Sequence, residues 1–359
     1  MARLLVTGGA GFIGSNFVRY WRRAHPTDAI VVYDLLTYAG HLPSIADLLS
    51  GPDVSFVQGD IRDGDRVYAL LRDQRLDTIV HFAAESHVDR SITGPQAFVD
   101  TNVVGTHALL MAARRAWLDE GRNGPGQRFH HVSTDEVYGS LAPGAPPFTE
   151  LTPCAPNSPY AASKAAADFL VRAYHRTYGL PATVTNCSNN YGPYQYPEKL
   201  IPLFILNCLR GLPLPVYGDG LNVRDWLHVA DHCRAIDLVL RQGRTGETWN
   251  IGGDNELPNL AIVDRLCALV DAEMAASPAL RARFPACPAA RGGSTTSLRT
   301  FVPDRPGHDR RYAIDMGKAR AGLGFSPSLD FDAGLRQTLR WYLDNEAWWR
   351  GLLGRQGAG

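Results

Sequence analysis

The sequence has no surplus of either charge: across 359 residues, 36 Lys and Arg stand against 36 Asp and Glu. That balance gives no broad field to attract nucleic acid or an anionic membrane, so an anionic ligand must be held by a local cluster. Cysteine is sparse. Cys154, Cys187, Cys208, Cys233, Cys267 and Cys287 lie far apart with no CxxC, which excludes a zinc ribbon and a secreted disulfide framework and fits a reducing cytoplasm. The 11 histidines show no metal-ligand spacing, so no metal is expected. No apolar run is long enough to cross a bilayer. The start, MARLLVTGGAG, passes straight from a short apolar run into glycines, which reads as leaving no signal-peptide core. Internal repeats are also missing. What is present is 45% hydrophobic residues, enough for a large core.

Short β-branched runs recur with helical segments between them: RLLVT from 3, AIVVYD from 29, VSFVQ from 54, TIVHFAA from 78, FHHVST from 129 and ATVTNCS from 182. Strands alternating with helices imply a parallel sheet. In the segment 95–118, Phe98, Val99, Val103, Leu109, Leu110 and Ala113 recur at helical spacing, which predicts a helix with one face on the sheet. After about Tyr191 the pattern breaks into Pro- and Gly-rich pieces such as GLPLPVYGDG, as in a smaller lobe grafted onto a sheet. The division expected is 1–190, with returning segments at about 221–255, and 191–359 for that lobe. The stretch 275–297, rich in Ala, Arg, Pro, Gly and Ser, reads as a partly helical, surface-exposed insertion.

The first strand runs into TGGAGFIGS, where Gly9, Gly11 and Gly14 satisfy GxGxxG and Gly8, Gly11 and Gly14 the related GxxGxxG. The turn opens a helix, and Asp34 ends the second strand 20 residues past Gly14, the context of a dinucleotide-binding turn. Glycines let backbone N–H groups and the helix N-terminus approach a pyrophosphate. A carboxylate at Asp34 accepts ribose hydroxyls and repels a 2′-phosphate, which favours NAD over NADP. Asp60, at the end of the third strand, is placed either to receive the adenine or to cap a helix. Together these features predict an α/β, doubly wound (Rossmann) fold with a smaller C-terminal substrate-binding lobe.

Tyr160 and Lys164 stand four residues apart in SPYAASKAAADFLVRAYH, on one face of a helix that begins just after Pro159. A lysine cation within reach lowers a phenol that ordinarily titrates near ~10 by roughly 1 to 3 units and makes it an accessible base. Such a base beside a nicotinamide oxidises an alcohol.

TGGAGFIG, Asp34, Thr134 and YAASK together resemble the extended short-chain dehydrogenase/reductase family, in its branch acting on nucleoside-diphosphate sugars. HFAAESHVDRS, STDEVYG, NCSNNYGPYQYPEKLIPL, YGDGLNVRDWLHVADH, WNIGGDNE and DRPGHDRRYAID extend the resemblance over nearly the whole chain. It departs at 275–297 and at Phe82, where the family more often has leucine. The resemblance implies a sugar dehydratase in which Thr134 hydrogen-bonds, Asp135 is a general acid and Glu136 a general base, beside Tyr160 and Lys164. Epimerases of this fold put small or uncharged residues after the Ser/Thr, GDP-mannose dehydratases resemble Thr-Ser-Glu, and CDP-glucose dehydratases Ser-Asp-Lys. Thr-Asp-Glu favours dTDP-glucose as substrate.

By the same resemblance, the cofactor contacts are Gly8, Gly11, Phe12, Ile13, Gly14, Asp34, Leu35, Thr37, Asp60, Ile61, Phe82, Ala83, Ala84, Ser86, Thr101 and Asn190, with Tyr160 and Lys164. Substrate contacts are expected at Ser86, Asn189, Lys199, Leu200, Pro215, Val216, Tyr217, Arg224, Asn259, Arg305 and His308, with Arg224, Lys199 and Arg305 against the diphosphate. His87, His130 and His131 read as structural. The rivals are an epimerase or decarboxylase of the same fold, and a non-catalytic NAD-sensing protein that would have no reason to keep Tyr160, Lys164, Asp135 and Glu136 together. A homodimer is expected through the helices near Asn102 and Tyr160, where Ala161, Ala162, Ala165 and Ala166 allow close approach.

Overall fold

A computed structural model describes residues 1–122, 124 and 126–356. Along the chain run strands β1 (Arg3–Thr7), β2 (Ala29–Asp34), β3 (Val54–Gln58), β4 (Thr78–His81), β5 (Arg128–Thr134), β6 (Ala182–Cys187), β7 (Asn189–Tyr191), β8 (Leu214–Tyr217), β9 (Val223–His228), β10 (Thr248–Ile251), β11 (Glu256–Pro258) and β12 (Arg299–Val302). Seven of them form one parallel sheet in the order β10-β6-β5-β4-β1-β2-β3. The six runs read as strands are all in this sheet. The seventh, β10, returns from late in the chain. It is four residues long, too short for its alternation to stand out.

Residues adjacent along each strand point to opposite faces. Leu5 and Ile79 pack on one side with Leu109, Ala113, Val171 and Tyr174, from the helices Thr106–Arg114 and Pro159–Tyr178. Leu4, Val6, Ile30 and Val32 pack on the other with Phe17, Trp21 and Ile236, from the helices Phe12–Ala24 and Val229–Gln242. Both faces are covered, and these strands are accordingly apolar throughout. Strand order reverses beside β1: β2 and β3 build outward on one side, β4, β5, β6 and β10 on the other. That switch point opens a crevice beyond the C-terminal strand ends.

The helix Pro159–Tyr178 is fixed at both ends. Ser158 Oγ accepts from the Ala161 N–H at 3.1 Å, Pro159 occupies the first turn, and Gly179 closes the C-terminus at φ +73°. The helix read at 95–118 runs from Gln96 to Asp119, with wide π turns at Val99–Gly105 and Arg115–Asp119. The first bulge has a local cause. Asn102 lies in it, buried, its Oδ1 accepting from the Glu85 N–H (2.9 Å) and its Nδ2 donating to the Glu85 carbonyl (3.0 Å) and to Ser163 Oγ (2.8 Å).

A second core gathers Phe204, Ile205, Trp226, Leu266, Val270, Leu335, Tyr342 and Trp349. The stretch 275–297 is largely exposed, as its composition implies, but it is also anchored in this core. The segment is partly helical (Pro278–Arg283), but Phe284 and Cys287 are buried in that core. Asp271 ties down its end by accepting from the Thr295 hydroxyl (2.8 Å) and the Ser294 hydroxyl (2.7 Å). Two apolar anchors in an Ala/Arg/Pro background leave no periodic signal. All six cysteines are free thiols. Among the described residues, no helix is long and apolar enough to cross a membrane.

Candidate active site

The crevice at the switch point begins at the glycine turn. Gly8 has φ +70°, and a Cβ there would stand 2.5 Å from the Ala83 backbone nitrogen. A Cβ on Gly14 would stand 2.2 Å from the Gly8 carbonyl oxygen. These two glycines serve the close contact of turn, helix and neighbouring strand end. Gly11 is different: its Cβ would meet only the Gly8 carbonyl oxygen, at 3.2 Å, and would otherwise project into the crevice. Gly11 precedes the helix Phe12–Ala24, whose first N–H groups have no side-chain cap. Donors left bare at a helix N-terminus, behind a glycine that keeps the space open, suit a pyrophosphate.

Asp34 is buried at the end of β2. Its two oxygens accept from the Ala10 N–H (3.0 Å) and the Leu36 N–H (2.8 Å), while burial pushes its carboxyl upward. The acid read as a ribose acceptor thus also pins the glycine turn. Asp60 pairs with Arg62 at 2.6 Å, and that guanidinium holds its carboxyl below the ordinary range. The crevice walls include Phe12, Ile13, Leu35, Thr37, Ile61, Phe82, Ala83, Ala84, Ser86, Thr101 and Asn190, and the floor continues to Thr134, Asp135, Glu136, Tyr160, Lys164, Asn189 and Lys199. Every residue assigned to the cofactor from sequence lies on this one surface.

The β5 strand ends at Thr134, and one tight turn, Asp135–Tyr138, follows. Thr134 Oγ1 caps that turn, accepting from the Glu136 N–H and donating to Asp135 Oδ1, both at 3.3 Å. The two carboxyls differ in setting. Asp135 is 1% exposed and its Oδ2 has no partner; burial, then the neighbouring Glu136 and Asp225, push it well above the usual carboxyl range. Glu136 is also raised by burial, but Arg224, Arg305 and Lys199 draw it back. Asp135 is therefore the group biased toward the neutral acid, and Glu136 the one with cations at hand.

Tyr160 corrects an expectation. Burial and then Glu136 and Cys187 push its phenol well above its ordinary value, against the Thr134 hydroxyl, whereas the sequence implied a lowering by Lys164. The reason is geometric: Lys164 Nζ donates to the Val132 carbonyl at 2.8 Å and approaches His131 Nε2 at 3.3 Å. Burial pushes Lys164 itself down to about 8.

Of the expected substrate contacts, Ser86, Asn189 and Lys199 line the crevice, and Lys199 Nζ donates to the Ser86 carbonyl at 3.0 Å. Leu200, Pro215, Val216, Tyr217, Arg224, Asn259, Arg305 and His308 lie outside its walls. Arg224 and Arg305 reach Glu136 electrostatically from there, and Arg305 pairs with Asp89 at 3.2 Å. His308 pairs with Asp304. The Val216 side chain is buried in the second core. Asn189 and Asn259 each keep a buried, unpartnered carbonyl oxygen. His87 caps the helix Val88–Thr93 and His130 bridges Thr183 and Thr185. His131 is more than structural, since it touches Lys164. Sequence reasoning missed Asp168, whose spacing of four from Lys164 was the available signal. Among the described residues no cluster suits a metal ion.

A doubly wound parallel sheet with a glycine turn at its switch point and a Tyr/Lys pair on the helix packed against β5 defines a nucleotide-binding dehydrogenase/reductase of the short-chain type. The family described as GDP-mannose 4,6 dehydratase matches residues 5–338. A dTDP-glucose 4,6-dehydratase of Neisseria meningitidis serogroup B is 52% identical over 98% of this chain and 96% of that protein. The solved structure of DesIV, a dTDP-glucose 4,6-dehydratase of Streptomyces venezuelae with NAD and TYD bound, is 49% identical with TM-score 0.86, covering 98% of this chain and 99% of that one. A dTDP-glucose 4,6-dehydratase of Bacillus anthracis in complex with NAD is 46% identical with TM-score 0.84, covering 98% and 100%. The chain belongs to the GDP-mannose 4,6 dehydratase family, and its full-length relatives at about half identity there are dTDP-glucose 4,6-dehydratases.

The contrast between the glycines gives a direct test of the cradle. Gly11→Ala is expected to lower the melting temperature less than Gly14→Ala, because its Cβ meets the Gly8 carbonyl oxygen at 3.2 Å rather than 2.2 Å, yet to weaken NAD binding at least about tenfold in calorimetric titration. Unchanged affinity would remove the pyrophosphate from this turn.

Proposed function

We propose that this chain is an NAD-dependent hydro-lyase that converts dTDP-glucose to dTDP-4-keto-6-deoxyglucose and water. The observation that carries the reading is the pair of adjacent carboxyls at the end of β5, one fully desolvated and one faced by three cations, beside Tyr160. An epimerase needs a base at C4 and no such pair. NAD, held by the glycine turn and Asp34, takes a hydride from C4 and returns it to C6. Tyr160 removes the C4 hydroxyl proton as a phenolate, the positive charge of a bound nicotinamide drawing down the phenol that burial raises, and the resulting ketone acidifies the C5 proton. Glu136 takes that C5 proton. Asp135, kept neutral by burial, gives its proton to the departing C6 hydroxyl, which leaves as water. Glu136 then returns a proton to C5. Thr134 keeps the two carboxyls apart in orientation by capping the turn, and Arg224, Arg305 and Lys199 supply the charge for a diphosphate. The identity of the relatives supports dTDP-glucose over other nucleotide sugars.

The reaction leaves an isotopic record. Deuterium placed at C4 of the substrate is expected at C6 of the same product molecule, and product formed in deuterated water is expected to carry solvent deuterium at C5, with the mass of one water lost. Label retained at C4, an unexchanged C5 and no loss of water would overturn the dehydratase reading and leave the fold intact.

The same reading makes the chain a cytoplasmic homodimer. Val99, Val104 and Met111 on the helical run Gln96–Asp119, with Phe169 and Tyr178 on the helix Pro159–Tyr178, are large apolar side chains exposed to solvent, more than a monomer's surface ordinarily gathers on adjoining helices. Of the four alanines, Ala161 and Ala165 face the chain's own core, which leaves Ala162 and Ala166 for a partner. Asn102 is buried by its bonds to Glu85 and Ser163 and does not take part. Light scattering at micromolar concentration is expected to give twice the chain mass; a monomer would contradict the interface.

A further inference from the structure

Two non-glycine residues beside the crevice take a left-handed backbone, Leu36 at φ +58° and Tyr194 at φ +66°. A residue with a side chain keeps that conformation only where its surroundings fix it. Each sits in a loop that lines the crevice, through Thr37, Ala39 and Gly40 on one side and Gln195 and Tyr196 on the other. The two loops touch. The rings of Tyr38 and Tyr196 meet edge to face with centroids 5.6 Å apart, and the Arg90 guanidinium lies 3.8 Å from the centre of the Tyr38 ring. Each loop is also tied to the glycine turn and the helix that follows it. The His41 N–H donates to the Ala10 carbonyl at 3.0 Å, and Asn16 Nδ2 donates to the Pro193 carbonyl at 2.9 Å. Arg19, one turn further along the same helix, donates to the Ser44 carbonyl at 2.6 Å and lies 4.6 Å from the centre of the Tyr194 ring.

What backs both loops comes from the far end of the chain. Trp348, on the helix Glu346–Gln356, donates its indole N–H to Ser44 Oγ at 3.1 Å and meets the His41 ring edge-on at 5.6 Å. It meets the Tyr194 ring in the same manner at 5.8 Å, and so touches both loops at once. From the helix Phe331–Asp344, Trp341 packs on Tyr194 at 4.6 Å and Tyr342 donates its hydroxyl to the Gln195 carbonyl. The proposed chemistry gives this bracing a use: NAD is reduced and reoxidised within one turnover, and a cofactor lost while reduced would strand the ketone.

We propose that the loops 35–44 and 192–198 form a clasp across the cofactor crevice, held shut from behind by Trp348, and that NAD leaves only when the clasp parts. Trp348 is a positioning residue: it touches no reacting atom and acts on the cofactor through His41, Ser44 and Tyr194. Parting breaks the contact between Tyr38 and Tyr196 and moves at least one loop. The left-handed backbones at Leu36 and Tyr194 favour that movement once Trp348 no longer opposes it.

The inference rests on the proposed reading for the retention of NAD through turnover, and the test separates the two by following nucleotide as well as product. The NAD-loaded chain is mixed with excess isotope-labelled NAD, and the bound nucleotide is identified by mass after gel filtration at intervals. Trp348→Ala is expected to exchange NAD about tenfold faster than the parent, while forming product within about twofold of the parent rate when NAD is saturating. Tyr38→Ala, which removes the contact between the loops, is expected to speed exchange in the same direction. Trp349→Phe is the control: on the same helix, Trp349 is buried in the second core and donates to the Tyr342 carbonyl at 2.9 Å, so its loss is expected to lower the melting temperature and leave exchange unchanged. Exchange in Trp348→Ala as slow as in the parent would overturn the proposal. Equal acceleration by Trp349→Phe would overturn it too, because the effect would then be a general loosening. Ser44→Ala, which removes the acceptor of the Trp348 indole N–H, is expected to speed exchange by a smaller factor and serves if Trp348→Ala does not fold, an unchanged rate there being equally decisive. Exchange as expected without formation of the dehydrated product would strike the dehydratase reading and leave the clasp standing.

Discussion

Removing an ionisable group from water favours its neutral form, and the region beyond β5 is arranged around that one effect. Asp135, Tyr160, Lys164, Asp168 and His131 are all shifted first by burial and then by neighbouring groups. Each would be unremarkable on the surface. Brought together along the last residues of β5 and just beyond them, they acquire different proton affinities, and an acid and a base can stand side by side. The sheet makes this affordable because both of its faces are already covered, so the strand ends open into a crevice with apolar walls rather than into solvent.

Charge in such a place must be met by charge. Glu136 faces Arg224, Arg305 and Lys199, all from the second half of the chain, while Asp34 and Asp60 are met by backbone N–H groups and by Arg62. The crevice therefore divides into two regions. Around the glycine turn, backbone donors prevail, and around Glu136, side-chain cations prevail. The π bulge at Val99–Gly105, pinned by Asn102 to Glu85 and Ser163, joins the crevice wall at Glu85 to the helix of Tyr160 and Lys164. Bulges of this kind are frequent where a helix must aim a side chain at a site.

Much of this was legible in the sequence. Strands β1 to β6 announce themselves by β-branched apolar runs, and the turn from Gly8 to Gly14, Asp34 and the Tyr160/Lys164 pair by spacing. Those features are local, and local pattern is what a sequence displays. Three things were not legible. The short strand β10 depends on pairing with β6, and Phe284 and Cys287 hide in a segment of surface-like composition; both are fixed by distant partners. The direction in which Lys164 points was hidden for the same reason. Its spacing from Tyr160 says that the two share a face, but the Val132 carbonyl, which takes one of its N–H groups, and His131, 3.3 Å away, come from another element. Asp168 was visible at the right spacing and carried no meaning until Ser133 was seen across from it.

The account stands on Asp135 being neutral where an ordinary aspartate is charged. Infrared difference spectroscopy of the NAD complex at neutral pH, parent minus Asp135→Asn, reads that state without relying on turnover, because a protonated carboxyl absorbs in a carbonyl band distinct from carboxylate. The account predicts one protonated-carboxyl band that is lost in Asp135→Asn and retained in Glu136→Gln. A carboxylate band lost in its place would show Asp135 ionised, and with that the assignment of acid and base at this site would fall.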